Sequence, residues 1–541
     1  MIKKTINLVL MLFISINAYG GSGYLGDLGT IVVTPTRSGV KLSDLGTNIE
    51  IVTGEYIVER GLKTAAAALE GVLGISGISE RGTRGSTRDI RMRSGGDTAK
   101  QVLIMIDNQP VNDTALGAGD LEEISADYID RIEIVRGPGS AVWGANAIGG
   151  VINILTKTPE DLDSSLEVHT DINSLYSQKY SLVLNHYETG SGVYASASCE
   201  DSDGWRKNSQ YTGRNFLVKV TKDHPVLGQL KTQVAVHESE FGIPGQNSTA
   251  IEDYDGDVEK IAQSPNAVME KLNQYLQIEL KNNLNNSILL TSRLYSNILN
   301  KTYVDPDAFT NDKSDTLLYG IDVQAEIKDI ATAGVEMTVN NFVRKDQTMD
   351  SVVKDIDEDT INSALFLQKT LDLAAVNIIL GLRYDMHTVY ENQLNPNITV
   401  VYKLNENTKF SLNAGKAFRA PTFEDLYSPY TSWPAFGFFN AGDTQGNPDI
   451  KPETAWGYDI GMEQSLGSFL LGRLTLFRSD IENLIEWTEI DPDLAYDKWR
   501  PSNVGEAFNQ GVEAGIDLEL LKDLEQGINF TYLQSKGKKY K

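Results

Sequence analysis

The sequence predicts a transmembrane antiparallel β-barrel that follows a smaller α+β domain. From about residue 163 to the end, apolar and polar residues alternate with a period of two in about 17 segments, most of them about 9–13 residues long. Short turns alternate with long polar loops, the longest near residues 240–270, 300–315, 346–359 and 420–453. This pattern is typical of outer-membrane barrels, with apolar side chains toward lipid and polar side chains toward the lumen. A series of water-soluble β-sandwiches is the alternative, although such long loops are uncommon there.

Composition and charge exclude several classes of function. The chain has 541 residues with 48 Lys+Arg and 74 Asp+Glu, a formal net charge of −26. A nucleic-acid partner is therefore not expected, because phosphate backbones require clustered Lys and Arg. The single cysteine, Cys199, provides neither a disulfide nor a cysteine-based metal site within one chain. The five histidines are isolated, and neither a Gly-x-Ser-x-Gly nor a His-Glu-x-x-His motif occurs, which argues against an exported hydrolase.

The N-terminus predicts a secretory signal peptide, which we place at residues 1–20. Lys3 and Lys4 precede an apolar run at residues 6–16, and residues 18–20 form a suitable small-x-small cleavage site. The run is too short to cross a bilayer as a helix, and a buried core helix is the alternative. No other stretch reaches 18 consecutive apolar residues, so no transmembrane helix is expected.

The region before the barrel has the mixed pattern of a compact α+β domain, which we place at residues 43–157. Four consecutive alanines predict a helix over residues 64–73. Short strands are predicted at residues 102–106, 129–135 and 151–155. The barrel then occupies residues 158–541.

The most specific motif is a glycine-rich segment at residues 130–157, DRIEIVRGPGSAVWGANAIGGVINILTK. Its glycines permit positive φ and close backbone packing. It has neither the glycine spacing nor the Gly-Lys-Ser/Thr triplet of a phosphate-binding loop. The segment closely resembles the plug-domain signature of TonB-dependent outer-membrane receptors, with Trp143 where tyrosine is usual.

Other segments resemble the same family. Residues 90–93 and 102–111 are similar to strands of its plug, and residues 415–427, 446–454 and 503–513 are similar to motifs of its barrel. A β-branched run that can add itself to the sheet of a partner resembles the TonB box and lies in a periplasmic segment at residues 21–42. The residues of this box are Thr30, Ile31, Val32, Val33, Thr34, Pro35 and Thr36.

The resemblance implies a plug folded inside a barrel of the outer membrane and active import without covalent chemistry. A scarce metal chelate, either a ferric siderophore or cobalamin, binds outside and alters the plug. The TonB box then becomes available to TonB, which the inner-membrane proton gradient drives. No cofactor is required beyond the chelate cargo. Because barrels of this family have 22 strands, we expect this one to be incomplete at the C-terminus, with an unpaired edge.

Six arginines of the plug are candidate site residues in this acidic chain. One hypothesis is a lock that pairs them with carboxylates of the lumen, and breaking such a buried pair would cost several kcal/mol. Attraction of an anionic chelate at the plug apex and a solvated plug surface are the alternatives. The candidates are Arg81, Arg84, Arg88, Arg91, Arg93 and Arg136, of which Arg136 best fits a plug–barrel ion pair.

Two acidic loops raise a calcium hypothesis, because Ca²⁺ takes six to eight oxygen ligands on flexible loops. Three aspartates of the second loop match positions 1, 3 and 5 of an EF-hand, but Val258 replaces the glycine and Ser264 the bidentate glutamate. Cobalamin receptors of the resembled family order similar loops with Ca²⁺, and a solvated loop is the alternative. The candidate ligands are Asp201, Asp203, Asp253, Asp255 and Asp257.

Two other transport functions remain open. Residues 418–421 and 447–450 also resemble the pattern of haem receptors, but residues 422–446 and the plug contain no histidine, so axial ligation of the usual kind is not expected. A passive porin would not need the plug signature or the TonB-box-like segment. Dissipating the proton gradient separates the two classes, since porin flux should persist.

Overall fold

The computed structural model describes residues 9–19, 31–46, 48–79, 83–94, 99–173, 177–245, 250–346, 355–429, 431–432, 442–467, 469–489, 497–521 and 524–539. The chain forms a large antiparallel barrel with a plug domain inside it, and the predicted fold class is confirmed.

The plug is built around a five-stranded sheet in the order β4-β9-β10-β7-β8, in which only the β10–β7 pair is parallel. The elements up to residue 156 are β1 (Val9–Tyr19), β2 (Ile31–Val32), β3 (Val40–Lys41), β4 (Ile49–Thr53), α1 (Gly54–Glu59), α2 (Ala65–Ala68), β5 (Ile75–Ser79), β6 (Arg88–Met92), β7 (Val102–Ile106), β8 (Gln109–Pro110), β9 (Ile129–Arg136), α3 (Ser140–Trp143) and β10 (Gly150–Thr156).

The predicted helix at residues 64–73 is shorter than expected. The side chain of Thr64 caps it by accepting a hydrogen bond from the backbone N–H of Ala67, and the helix ends at Ala68. Gly71 and Gly74 then adopt φ of 81° and 74°, so the chain turns toward β5 instead of continuing as a helix.

The plug core continues into the wall of the barrel. Ile104, Ile132 and Ile152 of the central sheet strands are fully buried, and Tyr194 and Leu217 of the wall belong to the same apolar cluster. The two bodies therefore share one core on this side, which fixes the plug against the inner face of the sheet.

In the part of the chain that the structure describes, the barrel has seventeen strands after residue 163, in agreement with the predicted number of about 17. A separate small sheet of the outer loops has the order β24-β25-β29-β28. In chain order the elements are β11 (Ser165–Ile172), β12 (Gln178–Glu188), β13 (Ser191–Ser202), β14 (Tyr211–His224), β15 (Gly228–Gly242), β16 (Val268–Asn285), β17 (Ile288–Asp305), β18 (Thr310–Ile327), β19 (Ala331–Asp346), β20 (Ile356–Leu373), β21 (Val376–His387), β22 (Gln393–Asn405), β23 (Thr408–Arg419), α4 (Phe423–Tyr427), β24 (Thr431–Ser432), β25 (Gly442–Thr444), β26 (Glu453–Leu466), β27 (Leu470–Glu482), β28 (Ile485–Glu489), β29 (Asp497–Asn503), β30 (Gly505–Leu521) and β31 (Leu524–Lys539).

The two ends of the barrel differ, as the loop pattern predicts. Short turns join the hairpins at one end, such as the turn from Glu188 to Ser191, whereas the connections at residues 243–267 and 420–452 lie at the other end. The longest strands reach 18 residues, beyond the predicted 9–13. A tilted crossing needs only about 9–11 residues, so these strands extend past the hydrocarbon layer.

The seventeen strands do not pair first to last, because β1 lies between β31 and β11 in the strand order. Val9 pairs with Ser535 and Tyr19 with Glu525 along an antiparallel ladder. The seventeen strands thus do not close on themselves, as expected, and the edge of β31 is paired here by the extended segment at residues 9–19, which satisfies its N–H and C=O groups. The signal peptide and the domain boundaries stay predictions.

The faces of the barrel wall are reversed relative to a water-soluble protein. Leu182 and Ile321 point outward with 47% and 44% of their surface exposed, while their neighbours Ser181 and Asp322 point inward with 5% and 3% exposed. An apolar outer band and a polar interior are what a lipid environment requires. Within the described residues, no helix combines the length and the apolar character needed to cross a membrane.

A charge on the lipid face should destabilise the barrel. Leu182 lies near the middle of β12, so Leu182→Arg should lower the free energy of unfolding by about 2–4 kcal/mol, because the guanidinium would enter hydrocarbon. Urea unfolding in lipid vesicles measures the change, with Leu182→Ala as the control that removes volume without adding charge. Equal midpoints for the Arg and Ala variants would contradict the placement of this face in lipid.

Candidate functional site

The segment that resembles a TonB box is folded between the plug and the wall. Ile31 is 56% exposed, while Thr34 and Thr36 are fully buried. Strand β2, which begins the segment, pairs with β3, and Thr30 lies outside the described residues.

The backbone of this segment is already hydrogen-bonded within the chain. The buried carboxylate of Glu133 accepts from the backbone N–H of Val33 at 3.1 Å, and from the N–H and hydroxyl of Thr34 at 2.9 and 2.6 Å. The indole N–H of Trp143 donates to the carbonyl oxygen of Thr34 at 2.7 Å. A partner strand would have to replace these bonds.

Arg37 anchors the same segment to the barrel wall, and our sequence reasoning missed it. Its guanidinium lies 2.5 Å from the carboxylate of Asp322 and 2.6 Å from that of Glu336. The guanidinium carbon is also 4.4 Å from the ring centre of Trp143 and 4.1 Å from that of Phe366. The available signal was its position directly after the box, since its acidic partners are nearly 300 residues away in sequence.

Arg37 is one member of a continuous chain of buried ion pairs along the inner wall. Arg293 lies 3.0 Å from Asp322, and Arg383 lies 3.1 Å from Glu336. Each positive charge thus sits between two carboxylates. In order, the chain runs through Glu279, Arg293, Asp322, Arg37, Glu336, Arg383 and Asp385.

Arg93 and Arg84 of the predicted lock form hydrogen-bonded ion pairs with the wall. Arg93 lies 2.6 Å from Asp459 and 2.7 Å from Glu513, with its side chain buried. Arg84 lies 3.0 Å from Glu200 of the wall. Both therefore join plug to barrel through charge-assisted hydrogen bonds.

Arg136 belongs to the same group of contacts as Arg93. It pairs at 2.5 Å with Glu50 of the plug, and its Nε lies 3.5 Å from Glu513. Arg473 of the wall reaches towards Glu50 at 3.9 Å. All side chains of this group are buried away from water, so each arginine is stabilised by more than one partner of opposite charge.

The other predicted lock residues are placed differently. Arg88 pairs with Glu70 and Glu122, and Arg91 lies 3.6 Å from Asp89, so these ion pairs lie within the plug. Arg81 lies outside the described residues. Whether any of the six forms a functional lock stays a prediction.

Two glycines of the plug signature allow its backbone to lie close to the barrel wall. Gly137 has φ of 92°, and a Cβ there would lie 2.9 Å from the carboxylate of Asp459. Gly144 has φ of 83°, and a Cβ there would lie 2.9 Å from the guanidinium of Arg383. The backbone of the signature thus passes close to both ion-pair groups, which a side chain would block.

The barrel motifs that resemble the family meet the tip of the plug. The backbone N–H of Asn146 donates to the carbonyl of Phe418 at 2.9 Å, and the N–H of Phe418 donates to the hydroxyl of Ser140 at 3.1 Å. Arg419 pairs with Asp425 at 3.2 Å and with Glu453 at 3.1 Å, which joins the two motifs. These motifs are therefore structural contacts between the plug tip and the long-loop end.

A cleft with a cavity volume of about 140 Å³ lies at the long-loop end between plug and wall. The plug tip supplies its floor, strands β19–β21 one wall, and the segment from Ala420 to Leu426 another. The rings of His387 and Tyr390 stack with their centres 3.6 Å apart on its side. Because the cleft lies at the junction of two domains and combines aromatic faces with polar groups, it is the candidate ligand site.

The acidic loops do not form a metal site in this arrangement. Among the residues that the structure describes, no three His, Cys, Asp or Glu side chains group closely enough to hold a metal ion. The backbone N–H groups of Val258 and Asp257 donate to the carboxylate of Asp255 and hold its pKa below the usual range. Asp201 accepts a hydrogen bond from Thr212. The calcium hypothesis stays a prediction.

Comparisons with known proteins agree with the fold. The model of the TonB-dependent receptor plug domain matches residues 41–151, and that of the TonB-dependent receptor-like β-barrel matches residues 201–541. The chain is 25% identical to a vitamin B12 transporter, BtuB, of Photobacterium profundum over 513 residues, covering 94% of this chain and 79% of the relative. It is also 25% identical over 621 residues to a ferric enterobactin receptor of Pseudomonas aeruginosa, with 96% and 80% covered.

Solved structures show the same architecture. The siderophore receptor PirA from Pseudomonas aeruginosa superposes with a TM-score of 0.71 at 18% identity, covering 91% of this chain and 86% of that one. The alcaligin receptor FauA from Bordetella pertussis superposes with a TM-score of 0.69 at 16% identity, covering 97% and 87%.

Removing Arg93 should loosen the plug. In Arg93→Met, Asp459 loses its arginine partner and Glu513 keeps the contact with Arg136. Breaking a buried ion pair costs about 3–5 kcal/mol. Hydrogen exchange of the plug amides at increasing urea measures the loss of protection. Arg91→Met is the matched control, because Arg91 pairs with a plug carboxylate only at 3.6 Å. Equal protection in both variants would show that the contacts of Arg93 do not hold the plug.

Proposed function

Because this chain belongs to the TonB-dependent receptor family, we propose that it imports a scarce metal chelate, cobalamin or a ferric siderophore, with energy supplied through TonB. It is an outer-membrane β-barrel protein, as its relatives are. Those relatives are transporters and receptors, and the proposed cycle includes no covalent step.

The proposal rests on two residues that connect the cleft to the docking segment. This segment is the part of the chain that resembles a TonB box, residues 31–36, together with Arg37. Trp143 lines the cleft and donates its indole N–H to Thr34. Glu336 lines the cleft and pairs with Arg37. A ligand that moves either side chain therefore changes the contacts that keep the segment in place.

The proposed cycle follows from these contacts. The ligand enters from the long-loop end and shifts Trp143 and the pairing partners of Arg37. Release of Arg37 frees the segment that contains Val33 and Thr34 to leave Glu133. The extended segment then adds as a strand to TonB, and a pull on it is transmitted to the plug. Each step exchanges hydrogen bonds and ion pairs, which water can replace as they open.

Energised uptake tests the proposal. Cells that lack their own receptors and express the full chain should accumulate labelled chelate, and a protonophore should abolish the accumulation. Val33→Pro should abolish uptake while leaving chelate binding intact, because proline removes the N–H needed for strand pairing. Val33→Ala, which keeps the N–H, is the control. Uptake that persists without the proton gradient would instead favour a passive porin.

Calcium belongs to the proposal as a separate hypothesis about the loop at residues 252–259. The carboxylates there repel one another, so a bound Ca²⁺ would have to draw them together from the arrangement described above. We expect Ca²⁺ to strengthen cobalamin binding and a chelator to weaken it. Asp253→Ala and Asp255→Ala should remove that dependence, whereas Asp223→Ala, at the short-turn end of β14, should not. Identical affinities with and without Ca²⁺ would show the hypothesis to be wrong.

A further inference from the structure

The cleft at the long-loop end offers no free positive charge to a ligand. Among its lining residues, as far as the structure describes them, Arg383 is the single Lys or Arg. Its guanidinium is held by Glu336 at 3.1 Å and by Asp385 at 2.9 Å, and its side chain is 1% exposed. An anionic chelate would therefore meet a neutralised cation next to two carboxylates.

Another cation of the long-loop end is neutralised in the same way. Arg344 pairs with Asp312 at 2.8 Å and with Glu424 of α4 at 3.0 Å. The chain as a whole carries a net charge of −26. Burying an unpaired anion in the cleft would therefore be strongly unfavourable.

The hydrogen-bonding groups of the cleft are mostly uncharged amides and hydroxyls. Asn112, Asn146, Asn340 and Asn362 line it, together with several threonines. The side-chain oxygens of Asn340 and Asn362 and the hydroxyl of Thr114 are buried without a hydrogen-bond partner. Buried polar atoms of this kind are normally satisfied, so a water or a ligand donor is expected at each of these three.

An aromatic surface adjoins these amides. His387 and Tyr390 stack on each other, and Phe423 and Trp143 lie on other sides of the cleft. The Nδ1 of His387 accepts the N–H of Val389 at 3.0 Å, so this nitrogen is not available to a metal. Burial raises the pKa of Tyr390, so its phenol stays neutral. Neutral aromatic faces suit the flat apolar parts of a ligand.

Building on the proposed function, we propose that the cleft selects an uncharged chelate that presents amide N–H donors around a flat ring system, such as a corrinoid. It discriminates against anionic ferric chelates. The amide oxygens of Asn340 and Asn362 receive the donors, and the ring system packs beside Tyr390.

Equilibrium binding to the purified full chain tests this selectivity. The probes are cyanocobalamin, which is neutral, ferric enterobactin, which carries three negative charges, and haem, which carries two carboxylates. We expect cyanocobalamin to bind at least about tenfold more tightly than either anion, the ratio that 1.4 kcal/mol gives. Tighter binding of ferric enterobactin or haem, or no binding of cyanocobalamin, would overturn the proposal.

Variants of the cleft provide the second arm. Asn340→Leu should weaken cyanocobalamin binding about three- to tenfold through loss of one hydrogen bond, and Tyr390→Leu should weaken it similarly. Asn341→Leu is the matched control, because Asn341 is the next residue of β19, and its amide bonds to Asp359 instead of lining the cleft. Folding of each variant is checked by its resistance to unfolding in detergent before boiling. Unchanged affinity in both folded cleft variants would overturn the assignment.

The two proposals fail differently. Gradient-dependent uptake of a ferric siderophore but not of cobalamin would overturn the charge selectivity and leave import intact. The opposite result is cobalamin binding that depends on Asn340 and Tyr390, together with uptake that persists without the proton gradient. It would uphold the selectivity and overturn energised import.

Discussion

The structure depends on one constraint: charges inside the barrel must be paired across the gap between plug and wall. The wall places polar side chains inward because its outer face is apolar. Lysines of the wall meet carboxylates of the plug, as Lys271 meets Asp120 at 2.7 Å and Lys179 meets Asp127 at 2.8 Å. Arginines of the plug meet carboxylates of the wall in return. A buried ion without such a partner would be strongly destabilising, so plug and barrel can bury these groups only together.

A polar interface of this kind also suits a part that moves. Separating apolar surfaces costs free energy over the whole contact area, whereas ion pairs and hydrogen bonds exchange one by one with water. The plug combines both kinds of contact. Its apolar cluster with Tyr194 and Leu217 lies on one side, while the contacts of Arg37 and Arg93 are ionic.

Much of this fold follows from the sequence, because the alternation of apolar and polar residues is a local property. The strand at residues 310–327 is an example, since Ile321 and Asp322 already show which face is buried. The partners of the candidate residues could not be predicted in the same way. Arg93 and Asp459 are 366 positions apart, and Arg37 and Asp322 are 285 apart, so only the closed wall brings them together. The pairing of residues 9–19 with the last strand joins the two ends of the described chain, so no local pattern predicts it.

The one departure of the plug signature from its family has a practical consequence. Trp143 stands where the family usually has tyrosine, and its indole touches the docking segment, the guanidinium of Arg37 and the ligand cleft. Indole emission responds to hydrogen bonding and to nearby charge. With the other five tryptophans replaced, the protein would carry its own fluorescent probe between the cleft and the segment at residues 31–37, without an attached dye.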